Sequence, residues 1–456
     1  MNAKSGCDLP RDRKQVHNLK YASKTRPCTS TNIPSTDVLA HVMQICKESS
    51  GSDAYVRSVE AAPEPMCIVS TDQQLLDMER FCTGESACVL SVDTTFNLGP
   101  FYVTPTTYQN LLVKTDRGNH PILLGPVLIH QTKTFRPFHY LASTIIRLNP
   151  RLVQLKAFGT DGEPELIKAF KICFPHAVHL RCMNHMRQNV KEKLHDLNIP
   201  QNIWKEFLSD IFGVQVGSHF ECGLVDSQSE ATFSATLQAL KERWINLERS
   251  CKQGSSSPEF HTWFLTYKAR DFIECVLPQV RLNAGINPTQ HFTTNSSESL
   301  NHIIKLEVEW KESKLPTLIE HLKSIVDRQK SELEKSVIGR GQWHFTNEYN
   351  HLIISESSWF SQMTSEAKRR HFKKVLTCKP VHTAAQKDAE SSSLSVSPEE
   401  SGISSISKTI LENIWKKACE LVKSGGNILK VPWSSSEKSR LVKSYTSAQP
   451  HMVTVN

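Results

Sequence analysis

The chain has 456 residues, of which 39% are hydrophobic and 22% are charged, and its formal net charge is +8. This length exceeds the ~100–200 residues of a single domain, so more than one domain is expected. The thirteen cysteines follow no regular framework, and no run approaches the ~18–20 apolar residues that span a bilayer. These observations argue against a disulfide-rich secreted domain and against a membrane protein. No charged-then-apolar leader opens the chain, so a reducing compartment is expected.

The basic excess is concentrated at the two ends of the chain. Residues 1–37 carry seven Lys and Arg against three Asp, and residues 408–456 carry eight against three Glu. The ends therefore have net charges of +4 and +5, and subtracting them from +8 leaves −1 for the residues between. Basic ends suit a polyanionic partner through counterion release, and ordinary solvated tails explain the charge equally well. A basic run at 368–374 suits either a nuclear import signal or, more commonly, a helix face.

Hydrophobic patterns predict an α/β core near the beginning of the chain. Residues 1–84 are predicted to form a polar and basic region with short helices, one of them amphipathic at 36–50. In the segment 85–197 the patterns predict strands at 87–96, 102–113, 121–130, 153–158 and 177–180, and helices at 138–148, 163–174 and 184–194. Three antiparallel strands followed by alternating helices and strands predict a mixed sheet flanked by helices. The same order of elements resembles that of the ribonuclease-H-like fold.

The remainder of the chain divides into four segments by composition. They are an α-helical insertion at 198–290, core completion and a helical region at 291–378, a Ser-rich disordered linker at 379–407, and a small basic C-terminal segment at 408–456. In the insertion, Trp204, Trp244 and Trp263 recur with other apolar residues at helical spacing. We therefore expect them in the core of the insertion rather than at a base-stacking surface.

Two aspartates follow apolar runs that are typical of buried strands. Asp93 follows residues 87–92, and Asp161 follows the strand predicted at 153–158 and a Gly-Thr pair. A carboxylate on a rigid strand suits Mg²⁺, because the octahedral ion tolerates little positional error. Alternatively, each aspartate caps a turn, which Asp does often. Both strands belong to one predicted sheet, where they would be neighbours, and this favours a shared site.

A third carboxylate, Glu298, is predicted in the first turn of a helix. Asn295 stands three residues before it, so the pair also matches a capping box in which Glu298 bonds the backbone of the cap residue. Capping accounts for this spacing without a metal. It does not account for the two threonines before the helix or for Asn301 one turn later.

Cys182 and His185 form a Cys-x-x-His pair. Zinc would need two further ligands, and no second pair of suitable spacing follows, so no structural zinc is expected in this chain. No orienting Asn or Asp signature accompanies the thiol, which argues against a cysteine hydrolase. Packing or hydrogen bonding of His185 near the aspartates is the preferred interpretation. Arg181, Arg187, Lys191 and Lys193 around the next helix either neutralise phosphates or form a solvated basic face.

Taken together, these motifs resemble the Mutator-like element (MULE) family of DDE transposases over residues 85–310. The matching strings are Asp93-Thr94-Thr95-Phe96-Asn97, Gly159-Thr160-Asp161-Gly162-Glu163, Cys182-Met183-Asn184-His185 and Thr294-Asn295-Ser296-Ser297-Glu298-Ser299-Leu300-Asn301. The resemblance implies a ribonuclease-H-like domain that uses two Mg²⁺ or Mn²⁺ ions to cleave transposon ends and join them to target DNA.

The resemblance also assigns residues and partners. It makes Asp93, Asp161 and Glu298 the catalytic and metal-binding triad. The remaining motif positions, Cys182, His185, Asn295 and Asn301, become candidates for structural or DNA-positioning roles. A nuclear homo-oligomer acting on DNA is expected, with no membrane partner.

The chain departs from the family pattern at both ends. Residues 1–80 lack the Cys/His pattern of a DNA-binding zinc module, and residues 444–455 look like the approach to a SWIM zinc finger that does not follow. A fragment, a decayed copy or a host-recruited derivative is therefore expected. The alternatives to an active transposase are a catalytically inactive nuclear DNA-binding protein and a structure-selective nuclease that cuts branched DNA without joining ends.

Overall fold

The computed structural model describes residues 54–62, 64–84, 87–95, 101–251, 257–308 and 314–380, together with three short strands between 428 and 454. The helix predicted at 36–50 and residues 381–407 of the predicted linker lie outside the described residues. The chain divides into two compact units, 1–383 and 384–456. In the second unit, β12 (Ile428–Lys430), β13 (Ser439–Val442) and β14 (His451–Thr454) form an antiparallel sheet in that order.

The first unit is built on a mixed sheet of seven strands. The strands lie in the order β1-β2-β6-β4-β3-β7-β8. Their bounds are β1 Val56–Glu60, β2 Met66–Val69, β3 Leu90–Val92, β4 Tyr102–Gln109, β6 Ile122–His130, β7 Ala157–Thr160 and β8 Val178–Arg181. Strand β7 runs parallel to both of its neighbours, β3 and β8. The remaining pairings of the sheet are antiparallel. The α/β fold with a mixed sheet flanked by helices is thus confirmed.

Alternating side chains of the strands supply two separate cores. In β2, Met66 and Ile68 face one core, whereas Cys67 and Val69 face the other. This follows from the period of two in a strand, which sends successive side chains to opposite faces. All four residues of β2 are buried, so both faces of this strand are covered.

Besides Leu333 of a later helix, four helices place buried apolar residues in the first core. They are α1 (Asp72–Cys82), α2 (Phe135–Leu148), α3 (Pro164–Cys173) and α12 (Ser365–Thr377). α1 begins at a complete capping box, in which the Thr71 side chain and the Gln74 side chain each bond the backbone of the other residue. The short strand β5 (Val113–Thr115) pairs with β11 (Trp343–Phe345), which brings the C-terminal part of the unit to this core.

The other face of the sheet is covered by α10 (Asn295–Glu307) and α11 (Leu315–Ser336). Between β8 and α10 the chain forms a helical insertion with its own aromatic core. After α4 (Met183–Asp196) it contains α5 (Gln201–Phe212), the hairpin β9 (Val214–Val216) and β10 (His219–Glu221), α6 (Glu230–Cys251), α7 (Phe260–Tyr267), α8 (Ala269–Cys275) and α9 (Pro278–Asn283). Trp244 is fully buried there, and Trp204 and Trp263 pack against the core partly exposed, as predicted.

Several predicted elements differ from the structure. Residues 54–84 of the predicted polar region contain β1 and β2 of the main sheet and also α1, which packs in the first core. The strand expected at 153–158 begins only at Ala157, because the 3₁₀ turn Pro150–Gln154 occupies its first residues. The strand expected at 87–96 has only three residues, and the one expected at 102–113 ends at Gln109. None of the helices in the described residues is long and apolar enough to cross a membrane.

Candidate active site

The two aspartates leave the sheet at the same edge. β3 ends at Val92 and β7 ends at Thr160, so Asp93 and Asp161 each directly follow their strand. The strands are hydrogen-bonded and parallel, with Ser91 opposite Gly159. Parallel neighbours carry their C-terminal ends to one edge of the sheet. The prediction that these two strands are neighbours is therefore confirmed.

Two glycines of the second motif are required by close contacts. A Cβ on Gly159 would lie 2.1 Å from Cζ of the Phe292 ring, which packs directly on this strand. Gly162 has a φ of +117°, and a Cβ there would lie 2.0 Å from Nη2 of Arg181. The same Nη2 lies 3.4 Å from the carbonyl oxygen of Asp161 and donates to it. Phe292 and Arg181 thus restrain the backbone on both sides of Asp161.

Helix α10, which carries Glu298, is joined to β3 and β4 by small polar side chains. The buried Ser297 hydroxyl donates to Ser91 Oγ at 2.7 Å and lies 2.9 Å from Thr107 Oγ1. One turn further, Asn301 Nδ2 donates to Asp93 Oδ2 at 2.8 Å. Short serine side chains permit this close approach of helix and sheet. Asn301, for which capping gave no role, therefore bonds a carboxylate of the predicted triad.

The capping box predicted around Glu298 is wrong. The helix begins at Asn295 with Thr294 as its cap residue, so Glu298 lies one position too far along the helix to complete the box. The Asn295 side chain instead accepts a hydrogen bond from Asn184 Nδ2 at 2.7 Å. The Glu298 side chain is about half exposed, and its Oε1 lies 4.0 Å from His185 Nε2. Glu298 therefore does not make the hydrogen bond to the backbone N–H of a cap residue that a capping box requires.

The Cys-x-x-His pair connects α4 to the beginning of α10. Cys182 is the cap residue of α4, and its buried Sγ lies 3.3 Å from Thr294 N and 3.1 Å from Thr294 Oγ1, both of which donate to it. Burial alone would raise the pKa of Cys182, but hydrogen bonds from His185 and Thr294 outweigh it and lower the pKa to about 7. The hydrogen bond to Cys182 in turn raises the pKa of His185 to about 9. The pair thus places a positive imidazolium beside Glu298.

Asp93 lies in an environment that opposes its negative charge. Its side chain is buried at 8% exposure, and burial raises its pKa to about 6. The negative charges of Asp161 and Glu298 raise this pKa further, whereas His185 and Lys133 oppose the rise. The charges of Asp161 and Glu298 thus both act on Asp93, which connects the three carboxylates of the predicted triad electrostatically through Asp93.

Residues of the insertion reach the ends of β7 and β8. Asp271 of α8 forms an ion pair with Arg181, the residue that restrains Asp161. Two residues earlier on β8, the Nε2 atom of His179 lies 3.0 Å from Thr160 Oγ1, and its Nδ1 atom lies 3.4 Å from Cys275 Sγ. The sequence analysis did not identify Asp271, because an acidic residue in a helix ninety positions away carries no local signal.

Lys133 is a second residue that the sequence analysis missed. It precedes α2, its Nζ lies 3.4 Å from Glu163 Oε2, and it lies 5.5 Å from the centre of the Tyr102 ring. Its positive charge counteracts the raised pKa of Asp93. Lys133 therefore adds positive charge to the surroundings of the acidic cluster.

The donor set suits a hard divalent cation, although the carboxylates do not converge. Mg²⁺ and Mn²⁺ prefer carboxylate and amide oxygens, and the buried Oδ1 of Asn301 has no hydrogen-bond partner among the residues that the structure describes. This oxygen belongs to the side chain that bonds Asp93. Within the described residues, however, no three His, Cys, Asp or Glu side chains are spaced to hold a metal ion. The residue types thus suit such an ion, but the described side chains do not form a ligand set for it as they stand.

Comparison with known proteins finds no relative that would assign this site. No family model matches the chain, and no curated protein matches it.

Proposed function

We propose that this protein is a metal-dependent DNA nuclease and strand-transfer enzyme of the Mutator-like type, with Asp93, Asp161 and Glu298 as its catalytic residues. One observation carries the proposal: Asp93 and Asp161 follow adjacent parallel strands, and the helix of Glu298 bonds Asp93 through Asn301. Three carboxylates from separate elements at one edge of a sheet are the arrangement that a two-metal site needs. The protein would act on DNA in the nucleus as a homo-oligomer.

The fold supports this proposal. Strand β4 is the antiparallel neighbour of both β3 and β6, and β7 and β8 follow in parallel with helices between them. This is the element order that the ribonuclease-H-like fold also has. In it, the first and fourth strands of the series carry the two aspartates, and the third carboxylate comes from a helix on the sheet face.

The residues around the triad have distinct roles in the proposed chemistry. Asp93, Asp161 and Glu298 would hold Mg²⁺ or Mn²⁺, which when bound activates the attacking oxygen and stabilises the leaving one. Asn301 orients Asp93, and Arg181 holds the backbone of Asp161. Lys133 and His185 both oppose the negative charge around Asp93, and their positive charge would also favour a DNA phosphate at the cluster.

The test is Mn²⁺-dependent nicking of supercoiled plasmid and of branched DNA. We expect Asp93→Asn, Asp161→Asn and Glu298→Gln each to lose at least about 100-fold in nicking rate, because one ligand of the ions is removed. DNA binding by fluorescence anisotropy should persist in all three. The control is Asp196→Asn, an exposed aspartate at the end of α4 whose side chain is 72% accessible. Nicking at the wild-type rate in any triad variant removes that residue from the proposal.

A catalytically inactive DNA-binding derivative is the second candidate. The observation that favours it is the spacing of the carboxylates, which do not form a ligand set as they stand. Titration with Mn²⁺ distinguishes the two, because an inactive derivative should show the same weak binding in wild type and in Asp93→Asn. Nicking of branched DNA without joined products would instead assign a structure-selective nuclease.

A further inference from the structure

Helix α12 concentrates positive charge in a part of the chain that is otherwise close to neutral. Its thirteen residues contain five Lys and Arg and a single acidic residue, Glu366. We name the five cations, Lys368, Arg369, Arg370, Lys373 and Lys374, the α12 basic face. Arg370 lies one helical turn from both Lys373 and Lys374, so these three charges share one surface.

The charges of this face are not neutralised by ion pairs within the described residues. Arg369, Arg370, Lys373 and Lys374 are exposed, and within the described residues none of the five forms a salt bridge. For comparison, helix α11 carries four basic and four acidic residues, and its Arg328 and Lys335 are both paired with glutamates. Like charges one turn apart repel each other, so an unpaired set of five has a cost that a bound polyanion would remove.

Aromatic rings lie beside the basic face. Lys368 Nζ lies 5.4 Å from the centre of the Phe360 ring and 5.6 Å from that of Trp359. Phe360 is 64% exposed, whereas Trp359 packs against the first core and contacts His371. An exposed ring next to cations is the combination on which nucleic-acid bases stack.

The helix is held rigidly from its other side. Phe372 and Val375 are buried in the first core, and Arg80 of α1 donates to the carbonyl oxygens of Val375 and Cys378 at 3.0 and 2.9 Å. The basic run is therefore part of a packed helix. This geometry presents the charges as a fixed surface and does not offer them as an extended peptide.

From these observations we propose that the α12 basic face, with Phe360 at its border, binds the phosphate backbone of DNA outside the catalytic cluster. Charge complementarity identifies the partner as a polyanion, and the exposed ring identifies it as a nucleic acid. The inference rests on the proposed function only for the class of substrate. The two fail separately, because triad variants lose nicking and keep DNA affinity, whereas variants of this face lose affinity.

The experiment compares two triple variants of the full chain by fluorescence anisotropy with a labelled duplex and a labelled single strand. The first is Arg370→Gln/Lys373→Gln/Lys374→Gln, and the control is Lys314→Gln/Lys323→Gln/Lys330→Gln, which removes three exposed lysines on and before α11. Losing three phosphate contacts should reduce the slope of log affinity against log salt by about 2.7 for duplex DNA. The control should reduce it by less than about 1, and circular dichroism checks that both variants fold.

A third variant, Phe360→Ala, isolates the stacking contribution. We expect its affinity for the single strand to fall about tenfold with an unchanged salt slope, and its affinity for the duplex to stay within about twofold. Equal salt slopes for the two triple variants overturn the proposal. The proposal is also overturned if the Arg370→Gln/Lys373→Gln/Lys374→Gln variant binds DNA unchanged while its fluorescent fusion no longer accumulates in the nucleus. That result would assign the α12 basic face to an import receptor.

Discussion

The contact between Gly159 and Phe292 predicts a strong effect for the smallest possible substitution. In Gly159→Ala the new Cβ would lie 2.1, 2.4 and 2.7 Å from three atoms of the Phe292 ring, whereas ordinary contacts begin at 3.4 Å. The ring must therefore move by more than 1 Å or the strand must bend. Phe292 O accepts a hydrogen bond from Met183 N, and Thr294, two residues later, is the cap residue of α10, so a shift of the ring disturbs both neighbours.

The magnitude follows from this overlap. Overpacking a core generally costs ~1–3 kcal/mol, and an overlap this deep places Gly159→Ala near 3 kcal/mol in the free energy of unfolding. Phe292→Ala alone should cost about 2 kcal/mol, because the ring is partly exposed. With the ring removed, the added methyl has space. The double variant should therefore be about as stable as Phe292→Ala, which corresponds to a coupling energy of about 3 kcal/mol.

Urea unfolding of the two single variants, the double variant and wild type measures this cycle. Gly84→Ala is the matched control, because a Cβ there meets nothing within 4 Å, and its effect should stay within about 0.5 kcal/mol. Nicking by Gly159→Ala should fall about 100-fold, since a 1 Å displacement near reacting groups can cost that much. Additive free energies in the cycle, or a Gly159→Ala variant as stable as the control, would refute the close contact.

Two further effects on stability follow from the structure. Asp271→Asn leaves Arg181 mostly buried without its ion pair, so it should lower the free energy of unfolding by about 2 kcal/mol. Glu274→Gln on the same helix removes two exposed pairs, with Arg270 and Lys171, and should have a clearly smaller effect. Equal effects in urea unfolding would contradict the role of Asp271. Burial lowers the pKa of His130 to about 4, so between pH 6.5 and 4 the unfolded chain binds a proton that the folded protein does not, and stability falls as the pH decreases through this window. From pH 7 to pH 5, wild type should lose about 2 kcal/mol more than His130→Gln, and parallel pH profiles would exclude a neutral buried His130.

Local patterns were sufficient to predict most elements of the core. The strand predicted at 121–130 and the helix predicted at 138–148 match the observed β6 and α2 to within a few residues. The neighbouring positions of the two aspartate strands followed from the same reasoning. The role of residues 54–84 could not be predicted in this way. Strand β1 is only five residues long and half-buried, and short edge strands carry little periodic signal.

The amino-acid sequence by itself determined the candidate residues, since the apolar runs that end at Asp93 and Asp161 are local and need no partner to be recognised. Only the tertiary structure decided how Glu298 is used. Its spacing from Asn295 suits a cap, but the helix begins one residue earlier than a box requires, with Thr294, which is held by Cys182, as its cap residue. The bonds of Asn301 to Asp93 and of Asp271 to Arg181 likewise join positions far apart in the chain. Such contacts arise from packing of whole elements, and no local pattern encodes them.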